Sequence, residues 1–190
     1  RATLYGSDAI GGVVQIFTRR AAKGERQARV QLGYGSQQTW ERSLGASYGD
    51  RDTRLNLTAT SQETAGFDRT NTESGPDSDR DAFRNHGLGL NASHRLNAQL
   101  QVGLSALYQK TETEFDNDFI GAYPYSHSEL SSVSLFADSQ PTENWNSRIE
   151  VGHSENRYET RADDTDNLRY NFSYRDSLSW LNNLALGDRH

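Results

Sequence analysis

LRYNFSY, residues 168–174, sets Leu168, Tyr170, Phe172 and Tyr174 in strict alternation with Arg169, Asn171 and Ser173. Period two is the signature of a strand with one dry and one wet face, whereas a helix repeats at 3.6. The alternation resumes through Leu178, Trp180, Leu184 and Leu186. It recurs upstream in ARVQLGY (28–34), RLNLTA (54–59), HGLGLNA (86–92), LQVGLSALY (100–108), VSLFA (133–137) and IEV (149–151). Trp40 to Tyr48 follows the same pattern, except that Arg42 falls on the apolar side. Eight strands are therefore expected, several of ten residues or more.

The 190 residues are poor material for an ordinary core: 33% are hydrophobic and mean hydropathy is −0.88. Disorder is opposed by nine Tyr, seven Phe and three Trp against three Pro, since disordered chains lack aromatics and favour proline. Absence of cysteine excludes disulfides, thiolate metal sites and a cysteine nucleophile. A net charge of −6 argues against nucleic-acid binding. No apolar run reaches the roughly 18 residues of a membrane helix. The opening on Arg1, without Met or signal peptide, reads like the middle of a longer protein.

Connections between the expected strands alternate in length. Turns at 49–52, 95–99 and 139–144 are short, those at 65–82, 114–126 and 161–167 are long, and GSQQT (35–39) is short where a long one is due. Of the 26 carboxylates, 13 fall at the long-loop end. Short turns on one rim, long loops on the other and strands dry on one side describe a transmembrane β-barrel, whose mean hydropathy is low because half of each strand faces water. A soluble antiparallel sandwich also alternates, but strand length and loop asymmetry weigh against it.

Residues 1–20, RATLYGSDAIGGVVQIFTRR, differ: a turn, a small-residue segment with Gly11 and Gly12, and a short apolar strand VVQIF (13–17) capped by basic residues. This block resembles the end of the plug domain of TonB-dependent outer-membrane receptors, where an LYGSDAIGGVVNI-like run leads into the first barrel strand. Within that family the likeness is to cobalamin (vitamin B12) receptors, and it continues through GYGSQQTWE, GDRDTRLNLTA, GFDRTNTESGPDSDRDAF, TETEFD and SWLNNLALG. The resemblance implies an all-β fragment: the plug's C-terminal end over 1–22, then about eight strands of a 22-strand antiparallel transmembrane barrel over 23–190. It further implies a bacterial outer-membrane, multi-pass location in contact with lipid. Transport of cobalamin or a related corrinoid would be energised by TonB through an N-terminal segment not in this sequence. Such a piece has two unpaired edges that lipid cannot hydrate, so it is not expected to be stable alone in a bilayer.

The loop GPDSDRDAF (75–83) carries Asp77, Asp79 and Asp81, with Asp68 upstream. D-x-D-x-D suggests an EF-hand, but Ala82 and Leu88 stand where the turn Gly and the bidentate Glu belong. A solvated acidic loop is the plain alternative. The resemblance implies calcium instead, held by aspartates of two neighbouring extracellular loops, and its motifs place Asp68, Asp79, Asp81 and Asp116 on ligand positions, with the Phe115 carbonyl as an addition. His127 stands where the family has a further aspartate, and neutral imidazole is a poor ligand for a hard cation; Asp118 or Asp77 are candidate substitutes.

Three other classes fit the sequence less well. An enzyme finds no support: His86, His94, His127, His153 and His190 are scattered without a Ser, His and acid combination, and His153 falls on the apolar face beside Ile149 and Val151. A passive porin has no use for a plug. A siderophore receptor shares the plug motif and differs in ligand. Tyr123 and Tyr125 are equally candidate ligand contacts and interface aromatics.

Overall fold

The structure, a computed structural model, describes residues 21–68, 80–116, 124–161 and 168–186. The block at 1–20, including the strand expected at VVQIF, and Asp77, Asp79, Asp118 and Tyr123 lie outside the described residues. Eight strands form one sheet in chain order: β1 (Arg26–Gly35), β2 (Thr39–Gly49), β3 (Thr53–Thr64), β4 (Phe83–Arg95), β5 (Leu100–Glu114), β6 (Tyr125–Thr142), β7 (Trp145–Arg161) and β8 (Leu168–Leu184). Every neighbouring pair is antiparallel. All eight expected strands are present, and the all-β antiparallel architecture is as the alternation requires. The first connection is a single 3₁₀ turn, Ser36–Gln38, with Gln37 and Gln38 at positive φ.

This sheet is a single layer. Among the described residues the buried apolar side chains are few, Ala21, Pro124 and Phe136, while Val30, Leu44, Leu135 and Leu178 all lie open, Leu178 at 76% exposure. An ordinary domain packs the apolar face of a sheet against a second layer. Here nothing in the described chain covers it. No described helix is long and apolar enough to cross a membrane.

Register reveals an order that the separate strands hide. Val151 lies on one rung with Leu135, Leu104, Ala92, Leu55, Tyr48 and Arg26. Yet the apolar run is centred between Val30 and Leu32 in β1, near Leu90 in β4 and between Ile149 and Val151 in β7. Followed through the rungs, this centre line slides about six residues toward the short-turn end over six strand steps. About one residue of rise (~3.3 Å) per inter-strand spacing (~4.8 Å) is a tilt of about 35°, at the edge of the 35–45° found in closed barrels. A level apolar band thus crosses tilted strands.

The opposite face is polar and internally bonded. Ser47 donates to Asn56 Oδ1 at 3.3 Å, Ser105 to Asn91 Oδ1 at 3.0 Å, and Gln109 and Thr111 both to Asn85 Oδ1 at 3.1 Å. Phe136 breaks the rule by lying on this face. Its ring covers Gly103, where a Cβ would overlap it, and the Arg148 guanidinium lies 4.1 Å from the ring centroid. Arg148 is fixed in turn by Asp138 at 3.1 Å and Glu150 at 3.0 Å.

Two ionisable residues within the apolar band have partners. Arg42 bonds Glu63 at 3.1 Å and lies 5.5 Å from the Trp40 ring. His153 sits where the alternation puts it, with Nδ1 2.7 Å from Asp176 and Nε2 3.3 Å from Glu155. At the trimmed rim, the Asp50 carboxylate accepts from the backbone N–H of Thr53 (2.6 Å) and Asp52 (2.9 Å) and from the Tyr48 hydroxyl (3.0 Å). This Asx-type turn closes the β2–β3 hairpin in three residues. The two N–H groups, Thr53 first, hold the Asp50 carboxyl below its ordinary range.

Candidate metal and ligand rim

The long-loop rim begins where β3, β4, β5 and β6 end. The neck of the 65–82 loop is closed by Gly66, whose φ of +65° favours glycine and whose missing Cβ makes room for the Asp81 backbone. Gly66 N–H donates to Thr64 Oγ1 at 3.1 Å, and the Thr64 hydroxyl donates to the Gln37 carbonyl at 3.1 Å. Beyond this neck the β4–β5 ladder gains one more rung. Glu114 N–H donates to the Ala82 carbonyl (2.9 Å), and Ala82 N–H donates to the Glu114 carboxylate (3.0 Å).

That rung brings two of the expected ligands to adjacent strand ends. Asp81 precedes Ala82 and is only 6% exposed. Asp116 follows Glu114 by two residues, and both its carboxylate oxygens are shut off from solvent and accept no hydrogen bond among the described residues. Asp68 is exposed on the far side of Gly66, and Asp79 is outside the described residues. Phe115 N–H is committed to the Pro124 carbonyl at 3.1 Å. No group of three or more acidic or histidine side chains close enough to hold a metal exists among the described residues.

A cavity of about 470 Å³ opens beside this rung, lined by Asp81, Arg84, Glu112, Phe115, Tyr125 and His127 among others. His127, at the start of β6, lies 3.5 Å from Glu112 through Nε2, and its ring centroid is 4.9 Å from that of Tyr125. The departure read at this position is therefore on the wall of the same cavity as Asp81. Glu112, with Lys110 at 2.9 Å and Arg84 at 3.5 Å, was not singled out from sequence. Only the register, which places Arg84, Glu112 and His127 on one rung, exposes it.

A curated vitamin B12 transporter of Vibrio cholerae serotype O1 is 25% identical over 201 residues, covering 99% of this chain. Over nearly its whole length, this chain is similar to vitamin B12 transporters. Another, from Vibrio vulnificus, is 28% identical over 187 residues and covers 96% of the chain; one from Photobacterium profundum is 29% identical over 138 residues and covers 72%. The resemblance read from the sequence is borne out. The chain spans less than a third of the length of these relatives, 31% and 29% for the two Vibrio proteins. No family model matches it.

Proposed function

We propose that this chain is part of a bacterial outer-membrane receptor that takes up cobalamin or a related corrinoid, energised through TonB, with calcium ordering its long loops. The observation that carries this reading is the uncovered, banded apolar face of a one-layer sheet. Left in water it would be an aggregation surface far larger than monomers expose; against hydrocarbon it needs no second layer. Aromatics support the same placement. By the register, Tyr34, Trp40 and Tyr108 sit about three or four residues from the centre line on the long-loop side, and Tyr48 about four on the other, where interfacial girdles belong.

Transport of this kind involves no covalent step. Ligand binding at the long-loop rim and movement of a plug would carry the solute past the polar face, where Asn, Gln, Ser and Thr side chains hydrogen-bond one another across neighbouring strands.

One observation at the rim, the Asp116 carboxylate, supports calcium. A dehydrated carboxylate that finds no hydrogen-bond donor among the described residues, as at Asp116, is costly unless a cation neutralises it. Asp68, Asp79, Asp81 and Asp116 would hold the ion, and calcium would supply the positive charge that lets carboxylates of two loops pack together. His127, turned toward Glu112, contributes an imidazole that suits a hard cation poorly. Calcium and corrinoid binding would then be coupled, each tightening the other.

Calorimetry on the complete receptor tests the proposal. Cyanocobalamin should bind, more weakly with chelator than with calcium, while a ferric hydroxamate chelate should not. Binding of the iron chelate in place of the corrinoid would overturn the ligand assignment, and identical corrinoid affinity with and without chelator would overturn the coupling.

A further inference from the structure

The polar face is not uniform from rim to rim. In its upper and middle parts the amides are bonded: Asn85, Asn91 and Asn56 each accept from a side chain of the adjoining strand. At the short-turn end they are not. Gln101, Asp138, Arg148 and Leu181 stand on one rung of β5 to β8, and Asn146 and Asn183 pair two residues nearer the turns. With Gln140 they line a cavity of about 400 Å³. Arg148 is held by Asp138 and Glu150, but the side chains of Gln101, Gln140, Asn146 and Asn183 make no hydrogen bond among the described residues.

Depth and chemistry narrow the occupant. Asn146 is four residues from the centre line, which passes between Ile149 and Val151, or about 11 Å at a tilt of about 35°. The cavity therefore opens at the lower limit of a band about 25 Å tall, where a solute crossing along this wall would leave it. A side-chain amide presents two N–H donors and a carbonyl acceptor, the complement of another primary amide. A corrinoid carries such carboxamide arms around its ring, and cobalamin adds a phosphodiester. Arg95, on the rung of Gln101, lines the same cavity, makes no ion pair among the described residues and suits that charge. At this size, near the lower end of small-molecule sites, the cavity holds one edge of the macrocycle and not the whole.

We propose that Gln101, Gln140, Asn146 and Asn183 form an exit station on the polar wall, a second site that takes the carboxamide edge of a corrinoid. Each contact is a neutral, directional hydrogen bond, easily made and released by a passing solute. A solute offering acceptors alone would satisfy only the N–H half of each amide, so the wall favours amide arms over bare oxygen ligands. The inference rests on the reading of this chain as part of a corrinoid receptor and adds a site at the opposite end of the wall from the long-loop rim.

Photochemical labelling of the complete receptor in cells tests it. Benzoylphenylalanine replaces Leu181, which lines the cavity, or Trp180, its neighbour on the apolar face, and the cells are illuminated while taking up radiolabelled cyanocobalamin. The receptor should be labelled with the probe at 181 and stay at background with the probe at 180. Adding Gln101→Leu, Gln140→Leu and Asn183→Leu to the 181 probe should lower the label about fivefold or more, the effect of one lost net hydrogen bond, without changing the calorimetric affinity at the long-loop rim. Arg95→Gln should lower it as well. Equal label at 181 and 180, label at 181 that the amide substitutions leave unchanged, or attachment of the 181 probe to the receptor's own chain with none to corrinoid overturns the proposal. The comparison of 181 with 180 needs no amide variant, so a misfolded one leaves the test intact. Cells that take up no cyanocobalamin would instead refute the transport reading.

Discussion

Arginine substitutions along the apolar face should trace the tilted centre line, not the ladder rungs. The penalty for Arg on the lipid side of a barrel is about 2–4 kcal/mol at mid-membrane and falls to about 0–1 kcal/mol at the interface. Relative to the centre line, Leu44, Leu90 and Leu135 are at zero, Val30 and Leu57 one residue away, Ala92 and Leu55 two or three toward the short-turn end, and Tyr48 four. One residue is ~2.7 Å of depth at a tilt of about 35°, so Tyr48 lies about 11 Å from the middle. Leu44→Arg, Leu90→Arg and Leu135→Arg should each cost about 2–4 kcal/mol, and Tyr48→Arg about 1 kcal/mol or less beyond its lost ring packing. Equilibrium folding of the complete receptor into vesicles from guanidinium reads these values. Tyr48, Leu55, Ala92, Leu104 and Leu135 share a rung, so a sheet lying without tilt would give all five the same depth. Equal penalties along that rung, or no dependence on position, would refute the tilted band.

Other consequences are local. Gly103→Val should destabilise the receptor by about 1–3 kcal/mol, because its side chain meets the Phe136 ring and the Ala92 carbonyl, and Phe136→Ala in the same chain should recover part of the loss; additive losses in the double variant would contradict the contact. Asp116→Asn should be neutral or stabilising in chelator, where it removes a dehydrated charge, and destabilising by about 1–3 kcal/mol in calcium, as thermal unfolding in the two buffers will show. Asp50 has a folded pKa below its unfolded value of about 3.9. Its contribution is therefore complete above that unfolded value and fades as pH falls through the lower folded one. Asp50→Ala should flatten the acid limb of the stability profile, and an unchanged limb would count against the turn.

Alternation made the strands legible because a one-layer sheet between two unlike media writes its faces into every second residue. Where both faces meet water, the signal stops. The upper half of β7, with Glu155, Arg157 and Glu159 on the nominally dry side, and the start of β6 around His127 and Glu129 continue as strands although the alternation has ended. Phe136 escaped notice for a different reason: its partner Gly103 is 33 positions away, and only the β5–β6 register makes the glycine a seat for the ring. At the rim, the resemblance to cobalamin receptors implied Asp81 and Asp116 as ligands, and the structure places them beside one rung. The Gly66 crossing over the Asp81 backbone and the Ala82–Glu114 bonds that set this rung are contacts no spacing of acids could convey.

The chain has no cysteine, so in a complete receptor cleared of any cysteine elsewhere single cysteines can be placed along β5 and spin-labelled in turn at 101, 102, 104, 105 and 106, sparing Gly103 under the Phe136 ring. Collision with dissolved oxygen, which concentrates in hydrocarbon, should peak at 102, 104 and 106, and collision with a water-soluble nickel complex at 101 and 105. Protection of both sets from both reagents would mean the apolar face packs inside a globule, and would contradict the membrane-facing sheet.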